Sequence, residues 1–597
     1  MKKLFVLLFS FYLFAANAQT KLPDLIPYFS KGKWGYCDKN MKIVIPCRYD
    51  QAYPFYEERA LVINYSNDTI PPYSMASFID PSGKEVFRLN SSAMGSPASR
   101  FQDGVALIEN YNIPEYGDLR TLSVVDKNGK VLQQIDSCGL DTELSMFYEY
   151  GIPFNSDGVY VTTTGFFEQN IVFIYKDGRK PVILKYDYAG PFKNGYSMAV
   201  KAYKEGQEIP DAALIDTKGD EVIPPGRFNL SLEYSNFGKN EIHLYPYSEK
   251  NRYGYVNLKG EVVIPPTFDM AQTFSEGLAI VGIITDIDEY EIPTYQYGYI
   301  NTKGDLIIPY QFDLAFPFLE GLAEVIRNDS ILFINNSNKV ELGFQNTPSS
   351  ADLEFGSYKY GAYVYNHGFK NGQAILYQNN KIAWINRKGE FIIPPLYMGL
   401  GRIGPSMIVE NFENGITKVA PNNSLIYNEY YIDEEGRPFF DAQPMILPDN
   451  NKTITRYAAP SRSMPLDTLE LNSVPVVKKY MGKKDKVNGK KGEWIEIENW
   501  PGPAYVFSAD FNTRAVKTMK TKGTALHKNP NDKSAVVLLA PNAIIFIDAK
   551  EKASKIGSNK WVKVIFYGIL DSDVDTYEYK QYTLFVKGTE IQLMPKE

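Results

Sequence analysis

The chain has 597 residues but only three histidines and three cysteines. His243, His367 and His527 each stand more than 100 residues from the next, so no His-x-x-x-His or Cys–His spacing for a metal exists. Cys37, Cys47 and Cys138 are an odd set that permits at most one internal bridge, and disulfides are not the scaffold. Cys37 and Cys47 are near enough in sequence to meet, and equally suit the role of small buried apolar residues. The phosphate-cradling signatures Gly-x-x-x-x-Gly-Lys-Ser/Thr and strand-linked Gly-x-Gly-x-x-Gly are missing, which removes the common nucleotide chemistries. Asp and Glu number 70 but complete no motif. Asp571, Asp573 and Asp575 have the alternating spacing of a calcium loop, yet Thr576 and Tyr582 stand where its Gly and Glu belong. Asp286, Asp288, Glu289 and Glu291 form a second group without a motif, and no carboxylate pair stands out for glycoside hydrolysis. No catalytic residue, metal or cofactor is expected.

Long apolar runs are also scarce. The run Leu4 to Phe14 is too short for a bilayer span, which needs about 20 residues, and no later stretch of that length is free of charge. Lys2 and Lys3 before it and Ala16-Asn17-Ala18 after it give the layout of a signal peptide over 1–18. The expected product is exported, periplasmic or extracellular, without a transmembrane segment.

What the chain has in quantity is Tyr (44), Phe (35), Gly (44) and Pro (37), and these recur in register. Tyr253-Gly254-Tyr255-Val256-Asn257-Leu258-Lys259-Gly260 then Val262-Val263-Ile264-Pro265 repeats as Tyr297-Gly298-Tyr299-Ile300-Asn301-Thr302-Lys303-Gly304 then Leu306-Ile307-Ile308-Pro309. Aligned on the Asn/Asp, ten copies appear, at Asp38, Asp80, Asp126, Tyr175, Asp216, Asn257, Asn301, Asn335, Asn386 and Asp433. Three residues on stand Gly83, Gly129, Gly178, Gly219, Gly260, Gly304, Gly389 and Gly436, with Met41 and Asn338 in the other two copies. An Asn or Asp bonds its own backbone two residues on, and Gly accepts positive φ, so each copy reads as a tight hairpin turn. The flanks are β-branched and aromatic, as strands require, and Pro46, Pro224, Pro265, Pro309 and Pro394 are expected to end the strand after the turn. A second piece, Phe274-Ser275-Glu276-Gly277, Phe318-Leu319-Glu320-Gly321, Phe101-Gln102-Asp103-Gly104 and Phe192-Lys193-Asn194-Gly195, leads into another strand. Each unit therefore holds about three strands, and units so small must stack to bury a face.

These residues resemble the bacterial WG (KWG) repeat family. Trp34-Gly35, Tyr253-Gly254 and Tyr297-Gly298 carry its opening pair, and Tyr49-Asp50, Phe268-Asp269 and Phe312-Asp313 its closing aromatic-Asp pair. The resemblance covers 25–445, strongest near 35, 254 and 298. It implies a repeat protein and brings no settled enzymatic activity.

From Ile446 onward 24 Lys and Arg face 17 Asp and Glu, +7 against −14 for the rest, in a chain of net charge −7. Lys478-Lys479-Tyr480-Met481-Gly482-Lys483-Lys484-Asp485-Lys486, with Lys490-Lys491, invites a nucleic-acid reading, but a solvated hairpin fits an exported protein better, and no nucleic acid is expected. This quarter looks duplicated, with Trp494 and Trp561 at matching places, and resembles bacterial SH3-like (SH3b) domains at 452–513 and 520–595. The resemblance implies an extracellular or cell-wall ligand, for which Trp494, Trp500, Tyr505 and Trp561 are candidate groove residues.

The expected fold is all-β: an open array of stacked antiparallel hairpin repeats, with a β-propeller-like arrangement as the alternative, followed by small SH3-like barrels. Ten units exceed the four to eight blades typical of one propeller. The expected function is non-enzymatic binding or scaffolding of a protein, glycan or cell-wall ligand of the envelope. The alternatives are a carboxylate-based glycan hydrolase and a spacer without a specific ligand.

Overall fold

The computed structural model describes residues 22–65, 74–89, 99–111, 120–138, 157–164, 170–190, 192–201, 211–230, 242–288, 293–328, 330–344, 367–378, 381–398, 412–421 and 429–441. In the last quarter it describes 447–448, 454–457, 465–469, 477–487, 490–497, 504–507, 511–512, 515–518, 524–530, 532, 535, 537–539, 543–547, 551–568 and 580–594. The signal segment 1–18 and Trp500 lie outside them. Among the described residues there is no α-helix, and the strands form many small antiparallel sheets.

All ten hairpin turns are present, and nine of them share one chemistry. In unit 7, Asn301 N–H donates to Asp305 O (3.0 Å) and Gly304 N–H to Asn301 O (3.0 Å). Asn301 Oδ1 accepts the N–H groups of Lys303 (2.9 Å) and Asp305 (3.0 Å). Asp38, Asp80, Asp126, Asp216, Asn257, Asn335, Asn386 and Asp433 do likewise. At Tyr175 the neighbouring Asp177 substitutes, accepting the Arg179 N–H. The fourth turn position has positive φ even where it is not glycine, 62° at both Met41 and Asn338.

Units 2, 5, 6, 7 and 8 are four-stranded sheets rather than the three strands expected, while units 3 and 4 share one six-stranded sheet and units 9 and 10 one five-stranded sheet. In unit 7 the strands are Met270–Ala271, Leu278–Ile287, Pro293–Asn301 and Leu306–Phe312, in that order across the sheet. The units occupy 26–49, 51–88, 105–138, 159–184, 188–223, 229–268, 270–312, 314–344, 373–398 and 416–441. Pro46, Pro265, Pro309 and Pro394 do not end the fourth strand but lie within it; only Pro224 follows its strand. The reason is a bulge. Tyr297 pairs with Phe312 and Tyr299 with Ile308, so three residues starting at Pro309 oppose the single Gly298. A bulge tolerates proline because its N–H is not needed in the ladder. A Cβ on Gly298 would sit 2.5 Å from Ile308 O, and Gly35 and Gly254 are as tightly placed. Close backbone approach is thus the reason for the Trp/Tyr-Gly pair.

Successive units are joined by one recurring contact. The aromatic two residues before the turn Asn/Asp packs on the Phe that opens the next unit's second strand: Tyr36 on Phe55, Tyr255 on Phe274 and Tyr299 on Phe318, at ring separations of 4.9, 5.0 and 5.0 Å. The same three hydroxyls donate to the carbonyls of Tyr53, Gln272 and Phe316 in the next unit at 2.7–2.8 Å. Phe78–Phe101, Phe173–Phe192, Phe333–Phe369 and Trp384–Phe412 make the ring contact elsewhere. Buried clusters accordingly bridge neighbouring units one after another, from units 2 and 3 through to units 7, 8 and 9.

The remaining cluster holds units 9, 10, 1 and 2 together, so the two ends of the array meet. Within units, the Asp of the aromatic-Asp pair donates its N–H to the following second strand, Asp50 to Ile63 O (2.9 Å) and Asp313 to Ile326 O (2.8 Å). Asp441 does this to Phe29 O at 2.8 Å, as if unit 1 followed unit 10 in sequence. Phe29 N–H donates back to Phe439 O, and Asp441 accepts the hydroxyls of Tyr28 (2.8 Å) and Ser30 (2.9 Å). Tyr431 packs edge-on against Trp34 across the same junction. The all-β repeat architecture stands; the joined ends belong to the propeller-like alternative and not to an open array. Unit 1 has only three strands of its own, and residues 439–441 supply its inner edge.

Beyond the ring, one five-stranded sheet contains Val477–Val487 and Lys490–Ile497, and another contains Trp561–Gly568 and Lys580–Lys587. Among the described residues both are open sheets and not the closed barrels expected. Cys37 is buried, Cys47 is half-buried and both are free thiols.

The turn glycines carry a second load that yields a test. A Cβ on Gly304 (φ 88°) would meet Ile264 Cγ2 of the preceding unit at 3.1 Å. Gly304→Ala is expected to cost about 1–2 kcal/mol from the left-handed backbone alone, and Gly304→Asn less, as Asn338 occupies the same place in unit 8 at φ 62°. Chemical denaturation of the two variants checks the order; equal loss, or none, would contradict it.

Candidate binding surfaces

The second recurring turn accounts for many of the acids. It is a two-residue turn with positive φ at both central residues, 50° and 86° at Glu276 and Gly277, 52° and 81° at Glu320 and Gly321, the primed type that suits a twisted hairpin. Its glutamate caps the same turn of the next unit. Glu57 accepts the N–H groups of Asp103 and Gly104 (2.7 and 2.8 Å), Glu276 those of Glu320 and Gly321 (2.9 and 2.8 Å), and Glu320 those of Asn371 and Gly372 (2.6 and 3.0 Å). In unit 10, Glu413 takes the Tyr56 hydroxyl and Arg100, reaching past unit 1, which lacks this turn. Asp50, Asp269 and Asp313 accept the N–H groups of Tyr65, Ile284 and Asn328. These carboxylates hold units together. The sequence showed the Phe-x-Glu-Gly motif but not this role, which depends on the neighbouring unit's distance.

One acid–histidine pair is buried. Glu324 sits where other units carry Leu61, Ile280 or Ile375 on the second strand. Its Oε1 lies 3.3 Å from His367 Nδ1, its Oε2 accepts the Gly368 N–H at 3.0 Å, and the His367 ring stacks on Phe316 at 3.5 Å. Both side chains are less than a tenth exposed. Burial, and secondly the Glu324 charge, push the Tyr299 phenol well above its ordinary value. The pair links units 8 and 9.

The outward surface is different. The fourth strand of each unit is the outer edge, and just after the turn it exposes aliphatic residues: Ile43 and Val44, Val131 and Leu132, Val262 and Val263, Leu306 and Ile307. Val340 and Phe391 continue the series into units 8 and 9, all of these being 40–51% exposed. A crevice of about 220 Å³ lies between units 1 and 2, lined by apolar Val62 and Ile79 as well as Arg48, Asn64, Ser77 and Glu85.

The expected groove aromatics do not come together as one site. Trp494 is fully buried, its Nε1 facing Asp485 Oδ2 at 3.3 Å, so it presents no face to a ligand. Alternation along the strand puts it on the face opposite Ile495 and Ile497, which are buried as well. Tyr505 lies in the strand Ala504–Phe507 opposite Glu496. Trp561, on the other sheet, is half-buried, with Lys587 Nζ 4.3 Å over its ring and His527 edge-on at 5.2 Å. The lysine run forms a hairpin with Lys483, Lys484 and Lys486 exposed.

Comparison with known proteins bears on the array. The description "WG containing repeat" matches residues 34–64, 180–204, 253–283 and 297–329. The chain carries WG repeats. Three of the four matches run from the middle of one unit to the middle of the next, and the match at 180–204 begins at the last strand of unit 4, so each spans a joint between units. No curated protein matches the chain. Among solved structures, a eukaryotic initiation factor is similar over 62% of this chain and 94% of its own, at 8% identity and TM-score 0.36. A protein of unknown function from Bacteroides caccae covers 48% and 91% (16% identity, TM-score 0.17), and the dihydro-heme d1 dehydrogenase NirN 58% and 74% (10%, 0.27).

The buried pair between units 8 and 9 supplies a test. Glu324→Ala strands the Gly368 N–H inside the protein, and an unsatisfied buried polar group costs about 1–3 kcal/mol. The thermal midpoint should fall, whereas Glu276→Ala, whose partners are exposed turn N–H groups, should lower it much less. Equal shifts would contradict the burial argument.

Proposed function

We propose that this protein is an exported, non-enzymatic scaffold that binds a protein, glycan or cell-wall ligand of the envelope. In this reading the WG ring is a rigid platform, the chain bears a cleaved leader at 1–18, and SH3-like modules at 452–513 and 520–595 form an attachment end. The observation that carries it is the recurrence of exposed apolar residues just after the turn on the outer strands of four consecutive units: Val262 and Val263, Leu306 and Ile307, Val340, and Phe391. Scattered exposed apolar residues are ordinary, but recurrence at one place of the repeat sets these apart. A repeat ring offers such a surface over a broad area. The structural use of Glu57, Glu276 and Glu320 supports the non-catalytic reading, because the turn acids are committed to backbone caps.

Retention of the chain from residue 19 onward on purified cell envelope and on peptidoglycan tests this. Val263→Lys with Ile307→Lys, at exposed positions where stability changes stay within about 0.5 kcal/mol, should reduce retention at least fivefold. Equal retention of both proteins, or release of soluble sugar from the envelope by the unmodified protein, would contradict the proposal.

A further inference from the structure

The C-terminal five-stranded sheet narrows the chemistry of one ligand. Its strands are Ala515–Thr518, Ile544–Ile547, Trp561–Gly568, Lys580–Lys587 and Ile591–Leu593. They contain Lys517, Lys563, Lys580 and Lys587 and no carboxylate. Side chains alternate between faces of a sheet. Val562, Val564, Phe566, Leu584 and Val586 fill the core, which leaves Trp561, Lys563, Phe585 and Lys587 on the other face, all half-buried. Trp561 pairs with Lys587 and Lys563 with Phe585, so aromatic and cation alternate both along and across the strands. His527 closes one edge, exchanging backbone hydrogen bonds of 2.9 and 2.8 Å with Phe585. Lys528 and Lys560 are exposed beside it. Two acids of the flanking loops are engaged locally: Glu551 pairs with Lys555 at 2.6 Å, and Asp532 accepts the Asn529 N–H at 2.8 Å.

We propose that this face binds an acidic polysaccharide, with sugar rings on Trp561 and Phe585 and carboxylates against Lys563 and Lys587. Each residue of a polyuronate presents an apolar ring face beside a carboxylate, which is the pairing the checkerboard offers. Aromatic faces with a polar edge suit the ring, and the lysines add charge that a neutral glycan could not use. A nucleic acid also brings charge and stacking faces, and its tighter binding is the outcome that would overturn the assignment. The inference rests on the binding role proposed above and assigns a ligand class to one of its surfaces.

Binding of the full chain to alginate, dextran and single-stranded oligo(dT) tests it. Alginate should bind, weakening as salt screens the lysines, and dextran should not. Lys563→Gln with Lys587→Gln, which removes no core side chain, should weaken alginate binding at least tenfold with an unchanged circular-dichroism spectrum. Trp561→Ala should do the same if it folds, and the lysine pair decides the matter if it does not. No binding to alginate, binding indifferent to the lysine substitutions, or tighter binding of oligo(dT) lost in the same variants would each overturn the proposal. Failure with alginate alongside persistent envelope retention would remove this inference and leave the broader binding role standing.

Discussion

The aromatic side chain two residues before each turn has no room in its own unit. Tyr36, Tyr255, Tyr299 and Trp384 are wholly buried, yet the ring that covers each one comes from the next unit, and for the tyrosines so does the carbonyl that satisfies the hydroxyl. A buried tyrosine without a hydrogen bond is costly, and a four-stranded sheet of this size cannot form a two-sided core alone. Each unit therefore depends on its successor. An open array leaves its last unit without one, and here unit 1 fills that place. Asp441 repeats on Phe29 the bond that Asp50 and Asp313 make within the array, so the junction has the same chemistry as the regular joints.

The bulge explains why the repeat has the residues it has. Three residues opposite one push the outer strand toward the third strand, and the missing Cβ of Gly35, Gly254 or Gly298 leaves room for it. Proline fits the bulge and removes an outward N–H, which blunts an exposed edge against pairing with other chains. In unit 9 the same register has Ala383 at the glycine's place, beside Pro394 and Pro395; nothing in the structure explains how that unit accepts the methyl group.

How much could be read beforehand follows from the range of each interaction. The ten turns were legible because Asn or Asp bonding to residues two and four ahead is local, and so was the positive φ at glycine. The short first strand of the four-stranded units was not, because Met270–Ala271 and Leu314–Ala315 are two residues long and gain their identity only by pairing. The prolines were misread as strand ends because a bulge is defined by the partner strand. Phe440-Asp441 looks like any other aromatic-Asp pair, and nothing local reveals that its partner is more than 400 residues away. Trp494 and Trp561 occupy matching places in sequence, but one is sealed in a core and the other half-exposed beside lysines, a difference set by which face of each strand is covered.

Closure of the ring is the claim on which the rest turns, and a distance across the junction tests it. Lys31 in unit 1 and Glu435 in unit 10 are both exposed. Spin labels on Lys31→Cys and Glu435→Cys, with Cys37, Cys47 and Cys138 replaced by alanine, report their separation by pulsed dipolar spectroscopy. A narrow distribution below about 30 Å is predicted, since units 1 and 10 share a packed core. Ten stacked sheets in an open row, spaced at about 10 Å each, would place the labels roughly 90 Å apart, and a distribution centred beyond about 60 Å would contradict the closed ring.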